Sequence, residues 1–144
     1  MFNAIHHVAI ICSDYPTSKR FYTEVLGLQI IAENYREARD SYKLDLALPE
    51  GSQIELFSFP GAPERPSFPE AQGLRHLAFQ VDNVEEVKSV IWNPKHIAVE
   101  PIRIDEVYGQ SIYVLPRSRW LTIGALSEVK RASNSLALVL YQYD

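Results

Sequence analysis

The chain has a single cysteine, Cys12, so it cannot form an intrachain disulfide. That suits a reducing compartment, although many secreted chains also lack disulfides. No apolar run approaches the roughly 20 residues of a membrane-spanning helix. The start, Met1-Phe2-Asn3-Ala4-Ile5-His6-His7, has no basic segment leading into a long apolar one, which argues against a secretion signal. There is no large excess of either charge: 14 Lys and Arg against 18 Asp and Glu give −4. The signs are mixed along the chain, so no basic stripe is offered to nucleic acid or to an anionic membrane. The expectation is a cytoplasmic protein with neither as a partner. What is present is an ordinary globular composition, 47% apolar and 22% charged over 144 residues, enough for one domain.

Ile5 to Ile11 is a short β-branched and apolar run that predicts a buried strand. Ser13-Asp14 offers N-cap chemistry, and Pro16 is acceptable in a first helical turn. Tyr15, Ser18, Phe21-Tyr22 and Val25-Leu26 then recur at helical spacing, with Gly27 as a natural stop. Leu28 to Ala32 reads as a strand. Tyr42, Leu44, Leu46 and Leu48 alternate with Lys43, Asp45 and Ala47, the pattern of a strand with one wet or functional face. Pro49 to Ser52 is a turn, and Gln53 to Phe59 is the returning strand. The order is β-α-β-β-β.

Pro60, Pro63, Pro66 and Pro69 mark a linker, because proline supplies no ladder hydrogen bonds. Then the order starts again. Leu74 to Val81 predicts a strand, and Asn83 with Glu86 makes a capping-box-like helix start. Val84, Val87 and Val90-Ile91 give the helical stripe, which Pro94 ends. Ile97 to Ile104, Ser111 to Leu115 and Trp120 to Leu126 read as strands. Sliding the chain on itself by 69 residues sets His7-Val8-Ala9-Ile10 on His76-Leu77-Ala78-Phe79, Phe21 on Val90, Leu28 on Ile97 and Ile54 on Ile123. One offset over a whole module marks an internal duplication. The division is one domain over 1–144: a module at about 3–60, a linker at about 60–73, a module at about 74–127 and an atypical tail at 128–144.

His7 and His76 hold equal rank in the two leading strands. Glu55 interrupts the apolar strand Ile54-Glu55-Leu56-Phe57, where a carboxylate is costly to bury unless paired or bound to a cation. Two imidazoles and a carboxylate suit Zn, Ni, Fe or Mn. Taken singly, a strand histidine is more often a core or edge residue, and a strand glutamate a solvated one. The repeat also names a missing ligand: Glu55 advanced by 69 falls on Gly124. Glu128 is four residues on, roughly 13 Å along a strand. Arg36, Arg39 and Lys43 could hold an anionic group of a substrate; the plainer reading pairs them with Glu37 and Asp40 at the surface.

Four segments carry a family resemblance: His6-His7-Val8-Ala9-Ile10; Ser18 to Tyr22 with Val25-Leu26-Gly27; Ile54 to Pro60; and Gly73 to Phe79. They resemble the vicinal oxygen chelate superfamily, which includes glyoxalase I (lactoylglutathione lyase), fosfomycin and bleomycin resistance proteins, and extradiol dioxygenases. Tyr35 to Lys43 and Arg65 to Ala71 bring the chain closest to a bacterial lactoylglutathione lyase-like subgroup. The resemblance implies an α+β fold of two tandem βαβββ modules forming a curled mixed sheet around a metal-binding cleft. It implies a divalent metal, Zn or Ni first and Fe or Mn as alternatives, held by His7, Glu55, His76 and a second glutamate on the last strand. It also implies a homodimer, with each site completed by modules from two chains. After about Gln110 the resemblance decays. The family's last glutamate falls on Gly124, the position the repeat had already singled out. A change of reading frame would produce so abrupt a departure, and translation of the alternative frame of the source gene tests it. The apolar Leu136 to Tyr141 is expected to form a strand at a sheet edge or a dimer interface.

The function these residues lead to is a metal-dependent, lactoylglutathione lyase-like reaction on a small molecule, with Glu55 as base and one ligand fewer than usual. The alternative is a binding protein without turnover, of the bleomycin-resistance type. A dioxygenase ranks third, because the carboxylate of its facial triad sits on the final strand, where this chain has Gly124.

Overall fold

The β-branched run after His6 forms strand β1, His7–Cys12, but not the buried strand expected: β1 is an edge strand whose His7, Ala9 and Ile11 are exposed, because only its alternate face packs on the core. The computed structural model that shows it describes residues 1–63, 66, 69, 71–74, 76–82, 86, 89, 103–105, 110–112, 122–128 and 136–141. Asp14 caps the helix that follows, α1 (Tyr15–Arg20), accepting a 2.8 Å bond from the Thr17 amide, with Pro16 in the first turn. Such a cap stabilises by about 1 kcal/mol. A single π-helical turn, Phe21–Val25, widens the end of the helix. Gly27 then turns the chain at φ +71°, a left-handed conformation that glycine adopts without steric cost. Three strands follow: β2 (Gln29–Arg36), β3 (Ser41–Ala47) and β4 (Gln53–Ser58). Between β2 and β3 the hairpin closes through a short 3₁₀ turn, Glu37–Arg39, and Asp40 at φ +45°.

The chain divides into two compact units, Met1–Glu64 and Arg65–Asp144. In the first, the strand order is β1-β4-β3-β2, with β1 parallel to β4 and the other pairs antiparallel. This open mixed sheet buries one face. Leu44, Leu46, Ile54 and Leu56 are 0–2% exposed, beneath Tyr15 and Tyr22 of the helical segment. Each such aliphatic side chain contributes about 1.5–3 kcal/mol. Tyr15 stacks on Tyr42 at 4.5 Å, which seats α1 on that face. The alternate residues Lys43, Asp45, Glu55 and Phe57 therefore share the opposite face.

In the second unit the strands are β5 (His76–Val81), β6 (Arg103–Asp105), β7 (Gln110–Ile112), β8 (Thr122–Glu128) and β9 (Leu136–Tyr141). Their order is β5-β9-β8-β7-β6, antiparallel throughout. Remove β9 and the order is that of the first unit. The register repeats as well. Lys43 pairs with Phe57 and Asn34, and 69 residues on, Ile112 pairs with Leu126 and Arg103. Ala9 pairs with Glu55; Ala78 and Gly124, at the same offset, both pair with Val139. The duplicated α+β modules are thus present, with one strand added to the second.

That added strand corrects one expectation. Leu136–Tyr141 is not at an edge: it lies between β5 and β8. Its composition explains this. Leu136-Ala137-Leu138-Val139-Leu140 is apolar without alternation, the pattern of a central strand rather than an edge one. Of the helix expected after Asn83, Glu86 and Ser89 are described and are helical. The remainder of that helix, and the residues expected as strand at 97–102, 113–115 and 120–121, lie outside the described residues.

Candidate metal centre

His7 opens β1 and Glu55 sits in the middle of β4. The parallel register sets Glu55 beside Ala9, and His7 one rung away beside Gln53. Residues two apart on a strand share a face. With only a methyl group at Ala9, the His7 ring reaches across to Glu55, its Nε2 3.9 Å from Oε2. The other ring nitrogen, Nδ1, meets Nδ1 of His6 at 2.9 Å. A histidine that ligates through Nε2 carries its proton on Nδ1, and a hydrogen bond there fixes the ring. In that tautomer His6 Nδ1 would be the acceptor, a role that the adjacent His-His pair could have suggested from sequence.

Lys43 completes the cluster. Its Nζ donates to Asp45 Oδ1 at 2.7 Å and to Glu55 Oε1 at 2.8 Å. These bonds, to Asp45 first and Glu55 second, raise the lysine pKa above its ordinary value. Asp45 and Glu55 are direct cross-strand partners, so Lys43 separates two carboxylates that would otherwise repel. With Oε1 taken by Lys43, Oε2 of Glu55 is the oxygen that faces His7. Cys12 takes no part: its thiol donates to the Phe57 carbonyl at 3.3 Å, and burial pushes its pKa up.

Of the three residues that could hold an anion, Lys43 is thus engaged with two carboxylates. Arg39 is exposed. Arg36 does not pair with Glu37 or Asp40; its guanidinium lies over Phe57 and Phe59, 5.1 and 5.7 Å from the ring centroids. Asp40 instead accepts from Tyr35 Oη at 2.6 Å. His76 is the first residue of β5, where its backbone pairs with Tyr141; its side chain lies outside the described residues. Among the described residues, no group of three or more His, Cys, Asp or Glu is gathered for a metal. Two of the expected ligands are therefore together. Their donor set and separation fit a shared divalent ion, since ligand atoms about 2.0–2.2 Å from one ion lie within roughly 4 Å of each other.

A βαβββ unit with His7 and Glu55 on neighbouring strands, followed by a second unit that repeats its strand order apart from β9, defines a class, and comparison with known proteins names it. The model of the glyoxalase/bleomycin resistance protein/dioxygenase superfamily matches residues 4–109. The chain belongs to that superfamily. It is 54% identical over 110 residues to the uncharacterised protein YwkD of Bacillus subtilis, covering 76% of this chain and 85% of the relative. It is similar in structure to a glyoxalase family protein from Enterococcus faecalis, with a TM-score of 0.71, 44% identity, and 79% and 89% of the two chains covered. A fosfomycin resistance protein from Listeria monocytogenes, complexed with Mn(II) and a dihydroxypropylphosphonic acid, shares the fold at a TM-score of 0.57 and 18% identity, over 78% of this chain and 84% of that one. The family match ends where the resemblance was expected to decay, just before Gln110.

Proposed function

We infer that this is a metal-dependent member of the superfamily acting on a small molecule, with lactoylglutathione lyase-type chemistry as the activity to test first. The observation that carries the reading is the His7–Glu55 pair: Nε2 and Oε2 face each other at 3.9 Å while Lys43 holds the second carboxylate oxygen. His7, Glu55 and His76 would hold the ion. A divalent cation there supplies Lewis-acid stabilisation of negative charge on a substrate oxygen. Glu55 is the base, and the bond from Lys43 fixes the direction of its carboxylate. Of the three candidate substrate-binding residues, Arg36 is the one that shares the face of Glu55 without a carboxylate partner among the described residues, while Lys43 is held by Asp45 and Glu55 and Arg39 is exposed in the hairpin turn.

Gly124 limits the reading. It holds the register place of Glu55 in the repeat and offers no carboxylate. Three protein ligands still permit catalysis, because catalytic sites keep a position open. The same loss favours, as second reading, a protein that binds its small molecule without turning it over. A methylglyoxal–glutathione turnover assay on Ni- and Zn-loaded protein separates the two. Turnover lost in Glu55→Gln supports the lyase; metal uptake without turnover supports binding alone. A homodimer accords with the resemblance and is tested by the solution mass of the full chain. Among the described residues, no helix is long and apolar enough to cross a membrane.

A further inference from the structure

We propose that Arg36 and Ser41 form an oxyanion subsite at the end of the β2–β3 hairpin, taking a carboxylate or phosphate group of the small molecule. The inference rests on the reading of this chain as a small-molecule protein and adds the class of ligand. Arg36 and Ser41 are direct cross-strand partners, so their side chains leave the sheet on one face. Lys43 follows Ser41 on that face and is opposite Phe57. Ser41 is 0% exposed. Three polar atoms here are buried and have no hydrogen-bond partner: Arg36 Nε, Arg36 Nη2 and Ser41 Oγ.

The identity of the two nitrogens matters. Nε and Nη2 lie along one edge of the guanidinium, the side-on fork that donates two parallel bonds to a carboxylate or to two oxygens of a phosphate. The plane of that fork is held against the rings of Phe57 and Phe59, which stack on each other at 5.9 Å and 5°. A buried guanidinium edge without a partner is costly, and a protein retains one where a partner arrives. No described carboxylate is that partner. Asp40 is held by Tyr35, Asp45 and Glu55 by Lys43, and Glu37 is exposed. The unused donors on this face, two N–H groups and one hydroxyl, match a single oxyanion. All three atoms are closed to water, so the ligand enters by displacing the half-buried Arg36 side chain from the edge it covers.

The test uses the full chain, titrated separately with inorganic phosphate and with acetate while the arginine Nε–H signals are followed by NMR. One signal should move saturably, and Arg36→Lys should remove it. The anion that saturates it at the lower concentration identifies the oxyanion as phosphate or carboxylate. Arg36→Lys keeps the charge but loses the fork, and should weaken binding at least about 10-fold. Ser41→Ala should weaken it about 2- to 10-fold. Arg39→Gln should leave it unchanged. No saturable response to either anion up to about 10 mM overturns the proposal, as does equal weakening by Arg39→Gln and Arg36→Lys. A parallel Ni(II) titration separates this inference from the one beneath it. Metal binding without anion binding sinks only the subsite, whereas anion binding that depends on Arg36 in a chain that takes no metal keeps the subsite and sinks the metal reading.

Discussion

Lys43→Met removes a charge while keeping most of the hydrophobic stem, and the structure fixes what it should cost. Lys43 Nζ lies 2.7 Å from Asp45 Oδ1 and 2.8 Å from Glu55 Oε1. The amine is 28% exposed and the carboxylates 15% and 16%, so screening by solvent is partial. A hydrogen bond to a charged group is worth about 1.5–3 kcal/mol net, and an exposed ion pair about 0–1 kcal/mol. Two bonds at this intermediate burial give a loss of about 2–3 kcal/mol. The variant also leaves Asp45 and Glu55 as like charges on one rung. Adding Asp45→Asn to Lys43→Met should therefore restore about 1 kcal/mol, whereas Asp45→Asn alone should destabilise. Urea unfolding in EDTA measures all four chains. A loss below about 0.5 kcal/mol for Lys43→Met, or strict additivity of the two changes, would refute the bridging role.

Three further outcomes follow from the same structure. Glu33 accepts from Lys19 Nζ at 2.5 Å and Tyr15 Oη at 2.7 Å, and these bonds, that from Lys19 foremost, hold its carboxyl below the usual range. The stabilisation is present above the ordinary carboxylate pKa and is lost as pH falls through the depressed one. Glu33→Gln should then cost about 1 kcal/mol at neutral pH and nothing in strong acid; a difference that does not vary across melts at several pH values contradicts this. Truncation after Glu128 removes β9 and leaves β5 and β8 without their shared neighbour, so hydrogen exchange should speed up in those strands and stay slow in β1 to β4. Undiminished protection of β5 would show that β9 does not hold it. Gly124→Glu restores a carboxylate at the place equivalent to Glu55 and should tighten Ni or Zn binding about 10-fold or more; unchanged affinity means that position 124 faces elsewhere.

The fold was legible where composition and backbone chemistry act locally. The β-branched run of β1, the Asp14 cap and the Gly27 stop each follow from a few adjacent residues. The alternation from Tyr42 to Leu48 separated the two faces of β3. Strand β2 was read too short, because Glu33, Asn34 and Arg36 are polar and the strand is an edge with no apolar rhythm to reveal it. The interior place of β9 was missed although its unbroken apolar run is that of a central strand; only its two neighbours, β5 and β8, are set by pairing distant in sequence. The candidate site divides the same way. His7 was singled out by its rank in the repeat and Glu55 as a charge in an apolar strand, and the parallel pairing of β1 with β4 is what sets the two side by side. The role of Lys43 was not, since its bond to Glu55 needs the pairing of β3 with β4. Nor was the Arg36 stack, which depends on three strands in register.

Metal binding by the purified, EDTA-treated full chain tests the central claim most directly. Calorimetric titration with Ni(II) and Zn(II) should show one site per chain, weakened at least about 10-fold by each of His7→Ala, Glu55→Gln and His76→Ala, and unaffected by exchange of the exposed Arg39 for glutamine. Binding that survives all three changes, or no saturable binding by the unaltered chain, would contradict the account.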